Sequence, residues 1–274
     1  MQETRLEVKS VVKRSFPSFG KGDSTGDVVV ETGMVDEHIV CITDPYSLAA
    51  EQYRRIRARL LKMAPKETLT TIMVTSPDMG EGKSTTCLNL AVTMAREIDY
   101  TVLIVDADLR NPSLHRYLGL KPKYGLSEYL SGKVELKDVL VRTGMRKLVL
   151  LPAGDPPENP SELLSSDRMR MLVHELKYRY RDRYVFFDSS PVLATADAFS
   201  LGRHMDGIIM VVQATHTTSK MAVKAASLMK GLSMLGVIFN NVPKYLGNSV
   251  YPYRYMSRGG YLKGPEAARR GLLT

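Results

Sequence analysis

Short runs that are apolar at almost every position alternate along this chain with stretches whose apolar residues return every three or four. Thr71-Ile72-Met73-Val74-Thr75 and Val102-Leu103-Ile104-Val105 are two such runs. Leu148–Leu151, Tyr184–Phe187, Gly207–Val212 and Leu235–Phe239 are four more. A strand wetted on one side would alternate, and several of these runs are apolar throughout, as strands covered on both faces require. Amphipathic helices lie between them, over Lys83 to about Glu97 and over about 161–180. An earlier helix over about 46–64 follows Ile39-Val40-Cys41-Ile42 and opens on the start signal Asp44-Pro45-Tyr46-Ser47. This alternation predicts an α/β fold with a doubly wound, mostly parallel sheet.

The pattern fails at both ends. Residues 1–37 contain the turn-rich run SFPSFGKGDSTGD, and residues 244–274 show no apolar period. The expected organisation is a flexible N-terminal segment (1–37), one domain (38–243) and a flexible tail (244–274). The composition of the 274 residues, 44% apolar and 24% charged, suits one sizeable core. No stretch approaches a membrane-spanning apolar run, and the first residues lack a signal peptide's apolar core. Both point to a soluble, cytoplasmic protein. Cys41 and Cys87 cannot build a disulfide framework. Thirty-eight Lys and Arg against 29 Asp and Glu leave a formal charge of +9, so an anionic partner is expected.

Ligands of such sheets sit at the carboxyl ends of the strands. The run 71–75 leads there into Ser76-Pro77-Asp78-Met79-Gly80-Glu81-Gly82-Lys83-Ser84-Thr85 and then a helix. Gly80 and Gly82 let backbone N–H groups face phosphate oxygens beside a helix N-terminus. Lys83 can reach the β- and γ-phosphates, and the Ser84 hydroxyl can ligate Mg²⁺. Pro77 stands where the strict G-x-x-x-x-G-K-[ST] pattern has its first glycine. Strand before, helix after and Gly-Lys-Ser-Thr between them still indicate a nucleoside triphosphate.

Two more strands end in acid at the same edge: Asp106-Ala107-Asp108-Leu109-Arg110-Asn111-Pro112 and Asp188-Ser189-Ser190-Pro191. A hard cation bridging phosphates takes one or two carboxylates plus water, which suits Asp188 and one Asp of the pair. Another carboxylate is then free to orient or deprotonate an attacking hydroxyl. A strand-end Asp can also simply cap the next helix, a reading that fits Asp188 taken alone.

Taken together, SPDMGEGKST, LIVDADLRNP and YVFFDSSP resemble the Walker A, Walker A′ and Walker B motifs of the bacterial tyrosine autokinases (BY-kinases) of polysaccharide synthesis. That family shares a P-loop superfamily, and its sheet, with the MinD and ParA ATPases. The resemblance covers about residues 38–261. It implies that Gly80, Glu81, Gly82, Lys83, Ser84 and Thr85 bind ATP and that Asn240 contacts adenine. Ser84, Asp108 and Asp188 would hold Mg²⁺, while Lys83, Asp106 and Asp108 are implied as catalytic, Asp106 as base or orienter.

Glu51-x-x-Arg54-x-x-Arg57 is similar to the family's oligomerisation motif, which implies a ring-like homo-oligomer. Physics alone reads these residues as a solvated helix face with weak intrahelical pairs. Tyr245, Tyr251, Tyr253, Tyr255 and Tyr261 resemble the family's phosphoacceptor cluster. Lys244, Arg254, Arg258, Lys263, Arg269 and Arg270 against Glu266 leave that tail basic, and each phosphate added would bring about −1.5 to −2 charge. The resemblance further implies a separate membrane-bound activator or chain-length regulator, a cognate phosphatase and a position at the inner face of the membrane. No nucleic-acid partner is expected. The rival within the superfamily, a partitioning or site-selection ATPase, carries a signature lysine where Asp78 stands here. No His or Cys spacing suggests a structural metal.

Overall fold

The computed structural model describes residues 35–63, 69–145, 147–179 and 182–243. Its centre is one seven-stranded sheet. In chain order the strands are β1 (Thr71–Thr75), β2 (Thr101–Asp106), β3 (Val141–Arg142), β4 (Leu148–Leu151), β5 (Arg183–Asp188), β6 (Gly207–Gln213) and β7 (Met234–Asn240). Across the sheet they run β3-β4-β2-β5-β1-β6-β7. Every pairing is parallel except that of β3 with β4.

The doubly covered strands of the sequence pattern are doubly covered here. Phe186 and Phe187 are neighbours, so they point to opposite faces, and neither has any exposed surface. Phe187 packs with Met73, Leu103 and Met210 on one face; Phe186 packs with Ile72, Ile104 and Val211 on the other. The second face carries α1 (Val40–Thr43), α2 (Leu48–Met63), α3 (Lys83–Ala95) and α4 (Leu114–Tyr117) through residues such as Cys41, Leu60, Leu88 and Leu114. The first carries α5 (Leu126–Leu130), α6 (Pro160–Leu164), α7 (Asp167–Tyr178), α8 (Asp197–Gly202) and α9 (Ser219–Leu228). Cys87 lies wholly in the core of α3.

One feature departs from the sequence reading. The single helix expected over about 161–180 is two helices, α6 and α7. Ser165 and Ser166 turn their hydroxyls onto the carbonyls of Glu162 and Leu163, and the extended backbone of Ser166 ends the first helix. Ser166 then caps α7, its hydroxyl oxygen accepting from Met169 N at 3.2 Å. Small hydroxyl residues compete with helical hydrogen bonding in this way. At one edge of the sheet β7 is far more open than the inner strands: Val237 and Phe239 are 61% and 60% exposed. They face the same side as α9, but that helix buries only Ala225 along its length.

The contacts divide the chain into a body ending at Asn240 and a second unit starting at Asn241, of which only 241–243 are described. Among the described residues no helix is long and apolar enough to cross a membrane.

The Ser166 cap carries a measurable share of stability. Ser166→Ala is expected to cost about 1 kcal/mol, read as a lower urea midpoint with an unchanged m-value. A continuous helix through 165–166 would predict no such loss.

Candidate active site

Parallel strands deliver their carboxyl ends to one edge of the sheet, and β1, β2 and β5 are neighbours there. The turn from β1 into α3 has left-handed backbone at Gly80 (φ +76°) and Gly82 (φ +86°). Side chains disfavour that region. At Gly82 a Cβ would in addition lie 2.2 Å from Asn240 Nδ2. α3 starts at Lys83, and the N–H groups of a helix's first turn have no intrahelical partner, which makes the turn an anion cradle.

Asp106 and Asp188 are register partners on β2 and β5, so their carboxyl groups share one face. Both are fully buried. Oδ2 of Asp106 accepts from Ser113 N at 2.9 Å and Leu114 N at 3.0 Å, while its Oδ1 has no partner. Neither oxygen of Asp188 has a hydrogen-bond partner. Lys83 reaches across from the cradle, its Nζ 2.7 Å from Asp108 Oδ2, 3.8 Å from Asp188 Oδ1 and 3.2 Å from Ser84 Oγ. The second oxygen of Asp108 accepts from Asn111 N at 3.2 Å.

One ammonium therefore serves three carboxylates. Burial works against the charge of Lys83, but Asp188 and Asp108 outweigh it and hold the amine well above its ordinary range. Burial, reinforced by the Asp188 charge, pushes Asp106 up to about 7 despite its two N–H bonds. Burial also raises Asp188, with Lys83 opposing it in part. Unpartnered oxygens buried in such a site call for a cation beyond the lysine. The donor set (carboxylates, the Ser84 hydroxyl and a phosphate cradle) suits Mg²⁺ accompanying a nucleotide.

Lys83, Ser84, Asp106, Asp108 and Asp188 are thus brought together. Asn240, at the end of β7, joins them at the cradle's flank, its Nδ2 donating to Glu81 O at 3.0 Å. Glu81, also expected at the nucleotide, lies in the cradle with its side chain turned inward: it is fully buried, with Oε2 accepting from Asp78 N at 3.0 Å and Oε1 from the Thr217 hydroxyl.

Spacing could not reveal Thr217, nor the cluster that holds the A′ turn. Arg110 Nε donates to Asp197 Oδ2 at 2.8 Å and Nη2 to Ser161 Oγ at 2.9 Å; the Ser161 hydroxyl donates to Asp197 Oδ1 at 2.6 Å. These three residues come from a turn and two short helices far apart in sequence.

Glu51, Arg54 and Arg57 sit on α2, away from this cluster in the chain's order of elements, and all three engage within the chain. Arg54 Nε meets Glu51 Oε2 at 2.7 Å and its Nη1 donates to Pro45 O at 2.7 Å. Arg57 ties α2 to the end of α3 through Thr93 O and Glu97 Oε1, each at 2.8 Å. Tyr245, Tyr251, Tyr253, Tyr255 and Tyr261 lie outside the described residues.

Residues 72–252 match the family described as the CobQ/CobB/MinD/ParA nucleotide binding domain. The chain is 36% identical over 221 residues to the tyrosine-protein kinase YwqD of Bacillus subtilis (strain 168), across 80% of this chain and 92% of that protein. It is 32% identical over 225 residues to the tyrosine-protein kinase wzc of Salmonella typhi, across 80% of this chain and 31% of that longer protein. The kinase domain of Escherichia coli tyrosine kinase ETK superposes with a TM-score of 0.73 at 30% identity, covering 81% of this chain and 85% of that domain. Fold and cradle thus define a P-loop nucleotide-binding domain of the MinD/ParA type. Within that class the chain belongs to the bacterial tyrosine-protein kinases, as its three motifs implied.

The acidic pair makes the ligand-free protein sensitive to pH. A carboxyl favoured as the acid in the folded state keeps its proton there after the unfolded chain has lost it. Stability therefore falls as pH rises from about 4, the unfolded value, to about 6 for Asp188 and about 7 for Asp106, by up to about 1.4 kcal/mol per pH unit for each group. Urea titrations across this range in metal-free buffer should show that slope, and Asp106→Asn should flatten it.

Proposed function

We propose that this chain is an autokinase that transfers the γ-phosphate of Mg²⁺-ATP to tyrosines of its own C-terminal cluster. The acceptors are Tyr245, Tyr251, Tyr253, Tyr255 and Tyr261, presented by one subunit to the site of another. The carrying observation is the half-anchored Asp106. One of its oxygens is fixed by two backbone N–H groups while the other, buried and unpartnered, is free to take a proton.

Each residue then has a task. Lys83 and the N–H groups at 80–85 hold the β- and γ-phosphates, and Asn240 flanks the adenine. Ser84, Asp108 and Asp188 would hold Mg²⁺, which when bound offsets the phosphate charge. Asp106 Oδ1 accepts the phenolic proton as the tyrosine oxygen bonds to the γ-phosphorus and the bond to the ADP oxygen breaks. An acid raised toward neutrality suits that exchange. The lysine's contact with Asp108 partly offsets the carboxylate charge until phosphates compete for the ammonium.

The proposal includes a kinase domain over 38–243 flanked by segments 1–37 and 244–274. It includes a ring-like homo-oligomer in which Glu51, Arg54 and Arg57 of α2 contact a neighbour, the first two exchanging their present in-chain partners. It also includes a separate membrane-bound activator at the inner face of the membrane, a resetting phosphatase, and control of polysaccharide polymerisation or export. Phosphorylation would invert the tail's charge and weaken its hold on an acidic active-site edge.

Mixing two disabled chains tests the transfer. Lys83→Met with an intact tail cannot phosphorylate itself, and a chain truncated after Pro243 has no acceptor. Combined with Mg²⁺-ATP, they should yield phosphotyrosine on the Lys83→Met chain. No signal in the mixture, with wild type labelled normally, would remove transfer between subunits; full labelling after the five tail tyrosines are changed to Phe would remove the tail as acceptor.

A further inference from the structure

Glu81 is a charged residue buried inside the phosphate loop, and the transfer chemistry gives its side chain no task. Its environment is a closed ring of bonds. Oε1 accepts from the Thr217 hydroxyl, whose oxygen in turn accepts from Gln213 N at 2.8 Å. The next residue, Ala214, donates its N–H to Asn240 O at 2.9 Å. Asn240 closes the ring by donating from Nδ2 to Glu81 O at 3.0 Å. Residue 81 is pinned through both its side chain and its carbonyl, from the ends of β6 and β7.

The turn that provides Thr217 is itself constrained. Thr215, β-branched, has φ +68°, a region such residues avoid. It is held there between Gln213 and Thr217, whose backbones are also joined (Thr217 N to Gln213 O, 3.0 Å). Strain of this kind persists only where surrounding contacts over-determine it. The loop it supports needs support: Gly80 and Gly82 are the least restricted residues in the chain's repertoire, and both must be held at positive φ.

We propose that Glu81 and Thr217 form a latch between the phosphate loop and the 213–217 turn that fixes the loop in its binding shape before nucleotide arrives. Both are positioning residues. They touch no phosphate through their side chains; they remove the ordering cost that binding would otherwise meet. The latch rests on nucleotide binding at this loop, not on which tyrosine receives the phosphate.

Calorimetry of the full chain with Mg²⁺ and a non-hydrolysable ATP analogue tests it. Thr217→Val should raise Kd on the order of tenfold, as expected for one lost charge-assisted hydrogen bond. Thr217→Ser, which keeps the hydroxyl, should bind within about twofold of wild type by the same reckoning. Glu81→Gln removes the charge from this bond and should weaken binding by less than Thr217→Val, because the Thr217 hydroxyl can accept from the new amide. The double variant should be no weaker than the weaker single one, since both break the same tie. In the phosphorylation assay Thr217→Val should raise KM for ATP more than it lowers kcat. An unchanged Kd in Thr217→Val, a Thr217→Ser as weak as Thr217→Val, or a loss confined to kcat would each overturn the latch. Should Glu81→Gln not fold, the two Thr217 variants decide. Because the titration uses nucleotide alone, its outcome does not depend on whether the tail tyrosines are acceptors.

Discussion

Asp106 and Asp188 lie side by side on adjacent strands, buried, with Asp108 close by and the Lys83 ammonium reaching in among them. Two opposite charges about 4 Å apart attract by about 4 kcal/mol at an effective dielectric near 20. Taking each ion out of water costs several kcal/mol. One ammonium cannot balance three carboxylates on those terms. Burial without full compensation raises Asp106 and Asp188 toward their protonated forms; a cation arriving with a nucleotide would relieve the same deficit. The same deficit that weakens the resting protein is therefore what makes it a binding site.

Around this deficit the fold supplies rigidity from a distance. Arg110 is locked to Asp197 and Ser161, which ties the turn carrying Asp108 to the helices of one face. Asn240 at the end of β7 and Thr217 just beyond β6 bond to the phosphate loop at Glu81. The acidic turn and the phosphate loop are thus braced by different elements, and the Lys83–Asp108 contact joins them. Arg57, singled out as a contact for a neighbouring subunit, also serves its own chain by fastening α2 to α3.

Much of this was legible in the sequence, and for identifiable reasons. Doubly covered strands leave a continuous apolar signature, so β1, β2, β4, β5 and β6 stood out. The phosphate loop and the two acidic strand ends have fixed local spacing, which is why Lys83, Ser84, Asp106, Asp108 and Asp188 could be assembled before any coordinates. The failures have the opposite character. Nothing in the periodicity across Ser165 and Ser166 marks a break, because the break is made by side-chain hydroxyls and not by a Gly or Pro. Thr217, Ser161 and Asp197 act through partners remote in sequence. The inward turn of the Glu81 carboxylate has no local signature either, since its partner Thr217 stands 136 residues away.

The order of the strands also bears on how the chain is made. β1, which launches the phosphate loop, pairs with β5 and β6, and Thr75 at its end bonds to Ser190, 115 residues further on. Such distant pairings close slowly. A ribosome must release most of the body before β1 has either neighbour, so a half-synthesised chain carries the nucleotide motif without the sheet that shapes it.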